Sequence, residues 1–112
     1  MIAVILESGE PTRLYTALSL LVSTAAEGEP ARGLVSFGAL GPLLGEVPGD
    51  GVFERSLREL RSTAAGLEDC RLWACAAAIE TTGEQPDGTL IEGVMSTPRF
   101  LRETAGARLV VV

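Results

Sequence analysis

A chain of 112 residues, 46% hydrophobic and 21% charged, has the balance of one folded domain spanning residues 1–112 and not of a disordered segment. Its 15 acidic residues outnumber 9 basic ones, for a net charge of −6, which argues against a phosphate-binding surface and so against direct nucleic-acid binding. The chain contains no His and no Lys, which excludes a Ser–His–Asp triad, a His-ligated metal and a lysine Schiff base. Its two cysteines are too few for a structural zinc site or a disulfide-stapled scaffold, so neither metal nor cofactor is implied.

Residues 2–6, IAVIL, form a continuous apolar run, the pattern of a strand buried on both faces of a parallel sheet. No basic region precedes it, so it does not read as a signal peptide. Pro11 suits the first turn of a helix. Leu14, Leu18, Leu21, Val22 and Ala25 then mark one helical face, and Gly28 and Pro30 end it. The apolar stretch 14–22 is far shorter than the roughly 20 residues that cross a bilayer. The expectation is a cytoplasmic protein with reduced thiols and no membrane partner.

Residues 31–37, ARGLVSF, predict a second strand. The turn formers of GALGPLLGEVPGDG predict a loop, with at most one helical turn at Pro42–Leu44. Asp50 is the expected N-cap of a helix whose buried face carries Phe53, Leu57, Leu60 and Ala64. Arg55, Arg58 and Arg61 are expected in solvent, with Glu54–Arg58 as an i,i+4 pair and Gly66 as the stop. RLWAC at 71–75 reads as a strand, AAAIETT as a short helix, EQPDG as a turn, and LIEGVMS at 90–96 as a strand interrupted by Gly93. Thr97–Pro98 reads as an N-cap with a first-turn proline, Gly106 closes that helix, and RLVVV at 108–112 reads as a final buried strand. Alternating strands and helices predict a three-layer α/β/α domain with a mostly parallel five-stranded sheet.

Ligands of parallel sheets bind beyond the carboxyl ends of the strands. Those ends are Glu7–Glu10, Phe37–Gly41, Cys75–Ala77 and Ser96–Pro98. Cys75 is the strong nucleophile among them. It stands at a strand-to-helix junction, where unpaired helix N–H groups and the helix dipole favour a thiolate. The small neighbours Ala76 and Ala77 are expected to leave the sulfur accessible. A buried, inert cysteine is the competing reading. Ser8, Gly9, Gly38, Thr97 and Arg99 join Ala76 and Ala77 as candidate substrate-binding residues, Ser8 and Gly9 through backbone N–H groups and Arg99 as an anion holder. Cys70, five residues before Cys75, should lie roughly 16 Å from it along a strand. A disulfide needs Cα atoms within about 7 Å, so Cys70 is not its resolving partner. Trp73 is expected in the core or at an oligomer contact.

The succession MIAVILESGE, a helix ending AAEGE, a strand ending VSFGALG, then RLWACAAAIETTG and GVMSTPRFLRETAGARLVVV resembles the DsrE/DsrF-like family, which includes TusD-like sulfur-relay subunits and the YchN-like fold. The likeness covers nearly the whole chain; its most specific piece is Cys75 through Gly83. Thr81 and Thr82 stand before that glycine, with no arginine there. The resemblance implies a sulfur carrier or sulfurtransferase: Cys75 accepts sulfane sulfur as a persulfide and passes it to a partner protein. It also implies sulfur donor and acceptor proteins as partners, and a homo-oligomer, trimer or hexamer. A non-catalytic oligomeric interaction module of the same fold is the alternative. A thiol peroxidase fits less well, because Cys70 is badly placed to resolve.

Overall fold

The computed structural model describes residues 1–86 and 88–112; Asp87, within the turn expected at 84–88, lies outside the described residues. Five strands, β1 (Ile2–Leu6), β2 (Ala31–Val35), β3 (Cys70–Cys75), β4 (Ile91–Met95) and β5 (Arg108–Val111), form one sheet in the order β4-β3-β2-β1-β5. Every pairing is parallel. The helices are α1 (Pro11–Ala26), α2 (Phe37–Leu44), α3 (Val52–Gly66), α4 (Ala76–Thr82) and α5 (Thr97–Glu103).

Crossover handedness distributes these helices. From β1 to β4 the chain steps across the sheet in one direction, so right-handed connections place α1, the α2–α3 pair and α4 on one face. The step from β4 to β5 runs back across the whole sheet and carries α5 over the other face. Strand alternation agrees. Gly33 registers with Val4 and Leu72, and a Cβ there would touch Leu21 of α1, so this row faces α1. The adjacent rows, Ala3–Arg32–Arg71–Leu109 and Ile5–Leu34–Trp73–Val111, face α5.

The α1 face is a dense core. Val4, Leu6, Leu18, Leu21, Val35 and Leu72 are fully buried. The α5 face is thinly covered. A seven-residue helix is about 10 Å long, while five strands span about 19 Å between outer axes. Phe100 of α5 is fully buried and contributes roughly 2–3 kcal/mol, but Leu109 and Val111 are 52% and 57% exposed. The strand expected to be buried at 108–112 is therefore an edge strand paired to β1 alone, bare on its outer face.

Other expectations also shift. The segment read as a loop holds α2, whose apolar residues Ala39, Leu40 and Leu43 are buried; their packing outweighs Gly38, Gly41 and Pro42. Pro42 gives no N–H to the Gly38 carbonyl, and that carbonyl is turned toward Gly9. The strand read as 31–37 ends at Val35, with Ser36 capping α2. The N-cap of α3 is Gly51 instead of Asp50; the exposed Asp50 carboxylate lies 3.7 Å from Arg58. The N-cap of α5 is Ser96 instead of Thr97; its hydroxyl accepts from the Arg99 amide. Gly93 falls where the β3–β4 register shifts, the place of a bulge.

Arg58 and Arg61 are half-buried and do not simply point to solvent. Arg58 donates to the carbonyls of Val47 (2.9 Å) and Gly49 (2.8 Å), and Arg61 to those of Leu43 (2.9 Å) and Gly45 (2.5 Å). Instead of the expected Glu54 pair, these charge-assisted bonds staple the α2–α3 connection to α3.

Candidate functional site

Cys75 is the last residue of β3, registered with Met95 at the end of β4. Each strand passes almost directly into a helix, α4 at Ala76 and α5 at Thr97. Two strand–helix junctions therefore lie side by side at the carboxyl edge. Cys75 is the N-cap of α4 in its backbone (φ −65°, ψ 125°), but its side chain accepts no bond from that helix. Its Sγ lies 3.9 Å from Thr97 Oγ1 at the start of α5. Alternation explains this. Leu72 and Ala74 face α1, so Trp73 and Cys75 face the other way.

Cys75 is only 3% exposed, which corrects the expectation of an uncovered sulfur in front of α4. The small neighbours do not open it, because Ala76 is half-buried and Ala77 exposed on the α4 side, while the sulfur turns toward α5. Thr97 is itself exposed, so the thiol touches a surface residue. Neither of two surface cavities, of about 350 and 330 Å³, is lined by Cys75.

Of the candidate substrate-binding residues, Thr97 alone is brought to the sulfur by a hydrogen-bond contact among the described residues. The Ser8 amide does not await an anion: it donates to the Val112 carbonyl at 3.2 Å, while the Ser8 hydroxyl accepts from the Glu10 amide at 3.1 Å. Gly9 and Gly38 are small because two loops meet there backbone to backbone. A Cβ on Gly9 would fall 2.3 Å from the Gly38 carbonyl oxygen, and one on Gly38 would fall 2.7 Å from that of Glu7. Arg99 is exposed and turns along its own helix to Glu103, 3.4 Å away. The Thr97 contact was legible only in part, since it needs the adjacency of β3 and β4. The apolar cavity beside α1 was missed, because one of its walls comes from the segment read as a loop and the others come from α1 and α3, which only the fold brings together.

Both cysteines are free thiols at opposite ends of β3. Burial pushes the Cys70 thiol above its ordinary 9.0 to about 11, partly offset by the positive charge of Arg32.

The structure resembles the crystal structure of the ychN protein from E. coli, with a TM-score of 0.62 and 19% identity over 99% of this chain and 97% of that one. At that identity the likeness establishes the fold, a compact parallel α/β architecture of the YchN-like type. No family profile and no curated protein sequence matches the chain. Among the described residues, no helix is long and apolar enough to cross a membrane.

The raised Cys70 thiol has a consequence for stability. In the unfolded chain this group ionises near 9, whereas in the fold it stays protonated to about 11. The unfolded state therefore releases its proton first, and the contribution of the neutral thiol, full below pH 9, declines as pH rises toward 11. Urea midpoints measured from pH 8 to 11 should fall more steeply for wild type than for Cys70→Ala; parallel curves would contradict the assignment.

Proposed function

We propose that this chain is a DsrE/DsrF-like sulfur carrier whose acceptor is Cys75, working within a homo-oligomer. The observation that carries the reading is the position of Cys75. It is the cysteine at the carboxyl edge, between two strand–helix junctions, in contact with exposed Thr97. The order of residues around it is that of the family it resembles.

The chemistry needs little apparatus. The Cys75 thiolate attacks the outer sulfur of a donor persulfide. A new S–S bond forms as the donor's S–S bond breaks, and the donor leaves as a thiolate. Cys75 then holds a persulfide, whose outer sulfur a partner's thiolate takes by the same step in reverse. No oxidant is consumed. Because Cys75 is buried in the isolated chain, transfer requires Thr97 to move aside when a partner docks. That burial is also what favours the second reading, an interaction module of the same fold in which Cys75 only fills space.

Both readings share an oligomer. On the α5 face, Leu109 and Val111 are exposed, and Trp73 is half-buried in the same row as Val111. Arg32 and Arg71 lie on this face, their guanidinium groups donating to backbone carbonyls, and neither has a carboxylate partner among the described residues. Apolar surface with Trp and Arg is the composition of subunit contacts. A second copy of so acidic a chain can meet those arginines with carboxylates.

Incubation with a small-molecule persulfide, followed by intact-mass measurement, should add one sulfur atom to wild type and none to Cys75→Ser. Equal loading of the two proteins, or of neither, removes the carrier reading. Light scattering on the eluting wild-type protein should give a trimer or hexamer, and Val111→Arg should shift it toward monomer; a monomeric wild type contradicts the oligomer.

A further inference from the structure

The cavity of about 350 Å³ beside α1 has an apolar wall built from Leu14, Pro42, Val47, Phe53 and Leu57. Behind it, the Tyr15 ring packs on Phe53 with centroids 5.7 Å apart, tilted by 37°. The wall is held in shape. Val47 belongs to the connection whose carbonyls Arg58 and Arg61 bind, and Pro48 stiffens the middle of it.

Two carboxylates, Glu46 and Glu54, line the same cavity, and among the described residues no cationic one does. Neither is in an ion pair; those among the described residues join Arg58 to Asp50 and Arg99 to Glu103. Of the arginines of α3, Arg55 is exposed and does not line the cavity, and Arg58 and Arg61 are occupied by backbone carbonyls. Glu54 folds back over Gly51, which leaves room for its carboxylate by having no side chain.

The cavity lies near the carboxyl ends of the strands, where an open parallel sheet places its ligands. Gly9, in the loop leaving β1, lines it together with residues of α1, α2, the α2–α3 connection and α3. Its volume sits at the lower end of small-molecule sites.

We infer that this cavity binds a small organic monocation, its apolar body against Leu14, Phe53 and Leu57 and its ammonium group at Glu46 and Glu54. An anion would meet two carboxylates there. The Phe53 ring lines the same cavity, and aromatic rings attract cations. The site is separate from Cys75 and does not depend on its role.

Calorimetric titration of the full chain with 2-phenylethylammonium chloride tests this, with 2-phenylethanol as the neutral analogue. The cation should bind about tenfold more tightly than the alcohol, and Glu46→Gln/Glu54→Gln should reduce cation affinity by about tenfold while leaving the alcohol unaffected. Added salt should weaken the cation alone. Circular dichroism checks the fold of the double variant. If it does not fold, the exposed single substitution Glu46→Gln and the salt series on wild type decide. Equal affinity for cation and alcohol, salt-independent cation binding, or no binding of either compound overturns the proposal.

Discussion

Right-handed crossover connection is the constraint on which the rest of this structure depends. Three successive steps in one direction load three of the four connections onto one face of the sheet, and the fourth, returning to β5, leaves α5 to cover the other. The α1 face consequently carries the dense core. The α5 face carries a short helix, a bare edge strand and a row of half-covered apolar side chains. Strand alternation then aims Cys75 at the thinly covered face and away from the helix it caps. Had the chain stepped alternately left and right, both faces would be evenly sheathed.

Much of the fold was legible in the sequence because its strands are buried. The run at 2–6, the helix opened by Pro11 and the Cys75–Ala76 junction stand where burial and capping chemistry put them. The failures share a cause: local signals were read without their tertiary partners. Gly38, Gly41 and Pro42 are turn formers, yet Ala39, Leu40 and Leu43 find a core to enter, and α2 forms. The apolar 108–112 segment reads as buried, but an edge position leaves its outer face bare. Asp50 and Thr97 are good cap residues displaced by one position. Gly51 caps α3, with Asp50 outside it near Arg58, and the Ser96 hydroxyl takes the Arg99 amide at α5.

The candidate site was legible as an address rather than as an environment. Cys75 at a strand-to-helix junction is a statement about sequence neighbours. What touches its sulfur is a residue 22 positions away, and that pairing comes from β3 and β4 lying side by side. Similarly, Gly9 and Gly38 look like substrate-binding glycines in isolation. In the fold they are the two sides of one backbone contact. The arginines of α3 show the same lesson. They read as a solvated stripe, and the fold uses two of them to hold the segment that shapes the cavity beside α1.

The most direct test of the role assigned to Cys75 is its alkylation rate in the native protein, mapped by peptide mass after brief exposure to iodoacetamide at neutral pH. A thiol in contact with one exposed side chain and meant for transfer should be labelled in the folded state, faster in Thr97→Gly, while Cys70 is spared. Labelling of Cys75 only in denaturant, at a native rate unchanged by Thr97→Gly, would contradict a role in sulfur delivery.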